Sequence, residues 1–393
     1  MLSISAAVPG SPRPAWNRPL DASDGCREYS SNERSVPPQE DRARMTPSTL
    51  HPGRCWLVER TASGGVAGRV APQTIEPPAA GDVLIEIEAA GFNYKDALAC
   101  NGHPGVARRL PLVPGIDAAG ILQQPVGGLP AGSPVVVTGN GLGESRPGGF
   151  ANWLVAASAA VIGRPPTLSA EAAMALGTAG LTAVVAVERL GGLIDWAYQQ
   201  RAGGPEPPVW LVTGASGGVG MLAVAAATQA GHRVVACTRK PEAAAALEAI
   251  GAAAVIDPGE AVAAGDKPLA SGRYLAVIDT VGGRLLADLL RSVQPGGVVA
   301  SIGNAGGVDL PTTVLPFILR GVTLAGIDAA GLLSNDQRRQ LWPQLATVWP
   351  RVEAHLPVRR LPLEQIGEWA GQMLAGKTCG RAVVIPGGGE DLP

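Results

Sequence analysis

A chain of 393 residues is long enough for two or three domains with cores of their own. Only 16% of its residues are charged and the formal net charge is −2, which removes any electrostatic case for nucleic acid or an anionic membrane as the main partner. The five cysteines (Cys26, Cys55, Cys100, Cys237, Cys379) are scattered without a Cys-x-x-Cys; with four isolated histidines they offer neither a disulfide framework nor a zinc site, so a reducing cytoplasm is expected.

Residues 1–50 are rich in Pro, Ser, Arg and Asp and lack apolar periodicity. Such a segment cannot bury enough surface to offset its ordering entropy, and disorder is expected. It lacks the basic start and apolar run of a secretory signal, and Met45, just before the first patterned segment, is the expected start of the native chain. "DVLIEIEAAGF" then alternates at period two, with Val83, Ile85 and Ile87 on one side and Leu84, Glu86 and Glu88 on the other: a half-buried strand. "SPVVVTGNG" and "GGFANWLVAA" are further short strands between glycine turns, predicting a compact β domain over 53–170.

The texture changes beyond that point. "EAAMALGTAGLTAVVAVERL" predicts a buried helix, followed by "PVWLVTG", a helix from Gly217, "HRVVACT", a helix over 241–250, "AAVID", "LAVIDTV", a helix over 283–293 and "GVVASIGN". Apolar strands alternating with helices predict an α/β domain over 171–333, with a doubly wound parallel sheet covered on both faces. Residues 334–388 return to helix and short strands and are expected to complete the β domain. No membrane span is expected: 172–187 is shorter than the ~20 residues a spanning helix needs. The uncharged stretch 207–231 is broken by Gly214, Gly217, Gly218 and Gly220.

Within "VWLVTGASGGVGMLAVAAATQAG", Ala215, Gly217 and Gly220 occupy the three positions of a dinucleotide-binding turn. Gly217 lets the backbone approach a pyrophosphate and Gly220 lets the helix pack on the strand; the helix N-terminus then faces the anion. Where an Asp or Glu would bind the ribose 2′-hydroxyl of NAD, the second strand ends in Thr238, Arg239 and Lys240. Two cations and a hydroxyl attract a 2′-phosphate, which argues for NADPH.

The stretches "NYKDALA", "VPGIDAAG", "LGTAGLTA", "VTGASGGVG", "AVIDTVGG" and "LPTTVLPFILRGVTLAGID", in this order over 53–385, resemble the zinc-free medium-chain dehydrogenase/reductases, within them the acrylyl-CoA reductase and quinone oxidoreductase group. The resemblance implies a GroES-like β domain wrapped around a Rossmann domain, with the active site in the cleft between them. It implies that Tyr94 lies on the nicotinamide side, that Ser216, Gly217, Gly218 and Val219 hold the pyrophosphate, and that Thr238 and Lys240 meet the 2′-phosphate. Asn304, Ile318 and Arg381 fall at its remaining cofactor contacts. Two departures stand out: Thr-Arg-Lys replaces a usual Ser-Gly-Arg, and Ala254 replaces a usual arginine, implying weaker cofactor affinity. Asn93-Tyr94-Lys95-Asp96 stands where zinc-dependent relatives place a metal-binding cysteine, so no metal is expected.

The implied substrate is a small conjugated carbonyl or enoyl-CoA. Hydride added to the β-carbon of an enoyl thioester leaves negative charge on the thioester oxygen, which hydrogen-bond donors must absorb where no metal is present. Asn93 by its amide and backbone N–H groups nearby are the candidate donors; Tyr94 is the first candidate to protonate the α-carbon, with Lys95 lowering its pKa if the two approach. Arg108, Arg109 and Arg320 are the candidate partners for coenzyme A phosphates. Asp117 and Asp328 are read as turn residues that accept backbone N–H groups, His103 as a loop residue and Cys100 as a packing residue. Two alternatives stay open: a quinone reductase, and a non-catalytic NADPH-binding protein. Relatives suggest a homodimer joined through an apolar strand at 322–327.

Overall fold

The computed structural model describes residues 52–75, 77–194, 208–265 and 267–387. The expectations for residues 1–50, Met45 and Cys26 lie outside them.

A hairpin of β1 (Gly53–Arg60) and β2 (Val66–Gln73) precedes β3 (Asp82–Phe92), the longest strand of the N-terminal half. The predicted alternation holds over the first part of β3: Val83, Ile85 and Ile87 join Leu122, Val135, Val137 and Leu154 in one apolar cluster, while Glu86 and Glu88 face outward. From Ala89 to Phe92 every residue is buried, because here the strand is covered on both faces. The sheet runs β14 (Val358–Leu361), β15 (Arg381–Val384), β3, β4 (Asp117–Leu122), β5 (Pro134–Thr138) and β7 (Ile162–Gly163), with β6 (Trp153–Ala157) also on β3. Strand β15 lies antiparallel to the end of β3, Ala382 opposite Phe92, so the C-terminal segment closes the sheet that the first third of the chain opens.

Between these pieces the chain builds a six-stranded sheet in which every pair is parallel: β8 (Val209–Thr213), β9 (Arg233–Cys237), β10 (Ala254–Ile256), β11 (Tyr274–Asp279), β12 (Val293–Ser301) and β13 (Thr323–Gly326). Their spatial order is β10-β9-β8-β11-β12-β13. In sequence terms this is third, second, first, fourth, fifth, sixth, the doubly wound arrangement whose crevice opens between the first and fourth strands. The GroES-like sheet and this Rossmann sheet together make the fold α/β, as the sequence indicated.

Helix α1 (Tyr94–Cys100) follows β3, α2 (Ala170–Leu193) precedes β8, and α3 (Gly218–Gln229) follows β8. Further on come α4 (Ala244–Ile250), α5 (Gly283–Leu290), α6 (Leu315–Arg320), α7 (Asn335–Val352) and α8 (Ile366–Leu374). The predicted helix over 283–293 stops at Leu290, because Val293 already pairs with Tyr274 at the start of the β11–β12 ladder. The strand predicted from Gly297 starts earlier, at Val293, and a register irregularity in the ladder accommodates Pro295, Gly296 and Gly297. The predicted helix over 241–250 begins as a 3₁₀ turn, Pro241–Ala243, before α4.

Helix α2 is apolar and long enough to cross a membrane by composition alone, but 89% of its most apolar 18-residue stretch, of mean hydropathy 1.6, is buried inside the protein. It packs against α3, α7, β3 and β4, joining the two sheets. Ser169 caps it by accepting the Ala172 N–H at 3.0 Å. Eight residues in, at Gly177, its backbone leaves the helical region (φ 46°, ψ −147°).

Candidate active site

The turn after β8 is built almost entirely from backbone. Gly214 takes φ +57°, the Gly217 N–H closes on the Gly214 carbonyl at 2.9 Å, and α3 begins at Gly218. A Cβ on Gly220 would stand 2.3 Å from the Gly214 oxygen and 2.7 Å from the Ala215 Cα, so only glycine lets the helix sit this close to the strand. A Cβ on Gly217 would meet only that same oxygen, at 3.2 Å, leaving an uncovered main-chain face. Gly217, Gly218 and Val219, half-buried, with Ser216 buried beside them, thus form a collar of backbone at a helix N-terminus, which suits a pyrophosphate.

Beside it the end of β9 folds back onto the turn. Thr238 Oγ1 lies 2.8 Å from Ser216 Oγ and accepts the Lys240 N–H at 3.1 Å, joining positions 22 residues apart in sequence. The Lys240 ammonium donates to the Thr378 carbonyl, and Arg239 reaches toward Gly376. The same C-terminal segment docks on the collar: the Gly380 N–H and the Cys379 thiol both donate to the Ser216 carbonyl, at 3.0 and 3.3 Å. Sequence reasoning gave 376–380 no part in the site; its only signal was the run Gly-Lys-Thr-Cys-Gly before the last strand.

At the crevice, buried Asp279 ties β8 to β11 by accepting the Thr213 hydroxyl at 2.7 Å and the Gly282 N–H at 2.7 Å. Burial raises its pKa, against those two hydrogen bonds. The loop after β12 is laid on this turn, and a Cβ on Gly282 would be 3.2 Å from the Asn304 Cα. Asn304 therefore stands exposed at the carboxyl end of the parallel strands, on the same side as the collar.

On the other sheet, α1 begins at Tyr94, which is 37% exposed. Its cap, Asn93, is buried, and its amide donates to Asp96 Oδ2 at 3.2 Å and Asp117 Oδ2 at 2.8 Å. That corrects the expectation for Asn93, because both amide hydrogens are engaged within the protein and none is free to meet a substrate oxygen. Lys95 is corrected as well: its ammonium pairs with Glu144 at 3.1 Å rather than with the Tyr94 hydroxyl. Glu144, missed in sequence, also faces Arg108 at 4.0 Å, so it anchors both flanks of the loop. Asp96 is fully buried and accepts N–H groups from Gly115, Ile116, Asn93 and the Asn93 amide. Burial and the neighbouring Asp117 push its carboxyl up to about 7.

Two of the expected contacts, Arg320 and Arg381, are placed differently. Arg320 donates to the carbonyls of Arg291, Val293 and Ala270, at the amino ends of β11 and β12, opposite the crevice. A guanidinium spent on three carbonyls there cannot serve a phosphate at the cleft rim. Ile318 is 67% exposed on α6. Arg381 does reach the collar, where a Cβ on Gly218 would be 2.4 Å from its Cδ. Its guanidinium is buried, however, and donates to the carbonyls of Phe92, Met174 and Ala175. Arg108 and Arg109 are exposed on the loop after α1. Asp328 accepts the Gly331 N–H at 2.8 Å, as a turn residue should.

A six-stranded doubly wound sheet with a glycine collar at its crevice, set beside a GroES-like sheet carrying an exposed tyrosine, defines a two-domain nucleotide-binding dehydrogenase. Residues 79–166 match the alcohol dehydrogenase GroES-like domain and residues 218–347 the zinc-binding dehydrogenase domain. The chain is 36% identical over 312 residues to a probable acrylyl-CoA reductase, AcuI, of Escherichia coli, covering 77% of this chain and 91% of that one. It is 37% identical over 304 residues to a putative quinone oxidoreductase, YhfP, of Bacillus subtilis, covering 77% and 89%. The yhdH oxidoreductase of Salmonella enterica, solved in complex with NADP, superposes with a TM-score of 0.74 at 33% identity over 84% of this chain and 99% of that one. The chain belongs to the medium-chain dehydrogenase/reductase family of oxidoreductases.

Among the described residues no group of three or more His, Cys, Asp or Glu is placed to hold a metal ion. Cys100, at the end of α1, is buried in the apolar cluster around Phe92 and Phe150, and burial raises its pKa.

Proposed function

We propose that the protein is an NADPH-dependent reductase of a conjugated C=C bond, acting on a short enoyl thioester of the acrylyl-CoA kind. The observation that carries the cofactor choice is the corner where Thr238, Ser216 and Lys240 meet at the end of β9. A hydroxyl and a cation stand there, where a NAD-specific site would place a carboxylate. In this reading Ser216, Gly217, Gly218 and Val219 bind the pyrophosphate, Thr238, Arg239 and Lys240 the 2′-phosphate, and Asn304 the cofactor at the crevice. NADPH, when bound, supplies the hydride.

The chain's own residues orient the acceptor and manage charge and proton. In this reading Tyr94 protonates the α-carbon, a role supported by its exposure at the start of α1. With the Asn93 amide engaged, main-chain N–H groups of the loop are left to stabilise the anion on the thioester oxygen. Arg108 and Arg109 are the remaining arginines for the phosphates of coenzyme A. Tyr94→Phe should lower kcat by about 10²-fold at saturating NADPH, the scale of a lost general acid; an unchanged kcat removes the donor role.

A quinone reductase is the second reading, favoured by the likeness to the B. subtilis protein over 89% of its length. Parallel assays of acrylyl-CoA and quinones with NADPH and NADH decide: oxidation of NADPH by acrylyl-CoA alone supports the first reading, by quinone alone the second. A homodimer belongs to the same proposal, since β13 ends the parallel sheet with β12 as its neighbour and Val314, Ile318 and Leu319 are exposed in the segment leading to it.

A further inference from the structure

Two buried side chains outside the cofactor collar grip the same pair of segments from opposite sides. Asp117 Oδ2 accepts both the Asn93 amide and the Thr178 N–H, each at 2.8 Å, and its Oδ1 accepts the Thr178 hydroxyl at 2.5 Å. Arg381 donates to the Phe92 carbonyl at 2.9 Å and to those of Ala175 and Met174 at 2.8 and 3.3 Å. One segment is thus 92–93, immediately before Tyr94. The other is 174–178, on both sides of the break in α2. The carboxylate takes the donors of each segment and the guanidinium takes the acceptors.

The break itself requires both. At φ 46° and ψ −147° Gly177 occupies backbone space that is nearly exclusive to glycine, and a Cβ there would stand 2.5 Å from Asp117 Oδ2. Such a break exposes main-chain carbonyls before it and N–H groups after it, which buried backbone cannot leave unpaired. Arg381 satisfies the carbonyls of Met174 and Ala175; Asp117 satisfies the Thr178 N–H. Gly91, between them, allows the approach: a Cβ there would be 2.9 Å from the Met174 oxygen and 3.2 Å from Asp117 Cβ. Arg381 also carries the connection onward, because its Cδ lies against Gly218 of the collar.

We propose that Asp117 and Arg381 are positioning residues that hold the Tyr94 loop in register with the nucleotide collar through the break in α2. Neither touches substrate in this assignment, and Arg381 is moved from the cofactor contacts to the frame beneath them. The pair rests on the collar being a nucleotide site, as proposed above. Seating a nucleotide on 216–219 fixes Gly218, hence Arg381, hence both segments that flank the acceptor side.

The test combines hydrogen exchange with kinetics on the full chain and on Asp117→Asn, Arg381→Lys and the double variant. In the wild type, NADPH should slow exchange at 214–220 and also at 92–97 and 174–180. In Arg381→Lys, protection should persist at 214–220 and be lost at the two distant segments. At saturating NADPH each single variant should lose about tenfold or more in kcat, and the double variant no more than the worse single, because both remove one registration. If Asp117→Asn does not fold, Thr178→Val removes only the hydroxyl contact and should give the same pattern in weaker form. Unaltered protection at 92–97 in Arg381→Lys, or losses that multiply in the double variant, overturn the pairing while leaving the reductase reading intact. If neither NADPH nor NADH protects the collar in the wild type, the cofactor reading fails and the pair's role with it.

Discussion

The turn after β8 and the break in α2 invite comparison. Each is a glycine-dependent departure from regular structure from which a helix proceeds. The first takes its shape from main-chain contacts within seven residues, Gly214 to Gly220, and Thr238, Cys379 and Gly380 then dock on its Ser216. The second is held by side chains 61 and 206 residues away, Asp117 and Arg381. The first can therefore be copied as a short motif, and the second exists only when the whole domain has assembled. The cofactor half of the site is made of backbone, and the acceptor half is made of a buried polar network.

The strongest way to separate the two is to break each with one side chain. Gly220→Val drives a branched side chain into the Gly214 carbonyl and the Ala215 Cα. Overpacking usually costs about 1–3 kcal/mol, and against rigid backbone the upper end is expected. Nucleotide affinity, measured by calorimetry, should fall more than about 100-fold, roughly 2.7 kcal/mol. Lys240→Glu leaves the collar intact but places a carboxylate at the 2′-phosphate corner. It should weaken NADPH binding by about 10- to 100-fold and improve the NADH to NADPH ratio of kcat/KM; equal losses for both nucleotides would remove the corner from cofactor choice.

Gly177→Ala is the counterpart on the acceptor side. Strain of about 1–3 kcal/mol should appear in denaturant unfolding. Turnover should drop while NADPH affinity changes less than about threefold, since the collar's own contacts remain (a uniform loss of both would merge the two regions into one cooperative unit).

The smallest effect expected is a pH dependence at Asp96. Its folded pKa, about 7, lies above the ordinary 3.8 through burial and Asp117. The folded state therefore binds the extra proton between these values, and stability falls as pH rises from about 4 to 7. The melting temperature of the wild type should decline across this window relative to Asp96→Asn. A flat difference would mean that the four N–H donors hold the carboxylate ionised throughout.

Much of this was legible before any coordinates. The collar, the basic end of β9 and the alternation of β3 each follow from neighbours in sequence, where strand period, helix period and glycine's freedom act over a few residues. The acceptor side was legible only in position. Tyr94 stands at the start of α1 in the open, but Asn93, Lys95, Arg320 and Arg381 each found partners that no spacing reveals: Asp117, Glu144 and backbone carbonyls from distant segments. A side chain's reach is set by what burial brings beside it, and a buried donor takes the nearest acceptor whatever its place in the chain.

The sequence by itself determined a compact β domain, a doubly wound parallel sheet and a glycine collar between strand and helix, because those are written in local periodicity; that the β domain is GroES-like is what the family resemblance implied. The tertiary structure alone decided which polar groups around the cleft are free and which are spent. It also decided that the segment 376–380 lies on the collar and that α2 breaks where Asp117 and Arg381 can both grip it. The physical reason is distance along the chain: hydrogen bonds between residues 60 to 300 positions apart form only after hydrophobic burial has brought their segments together.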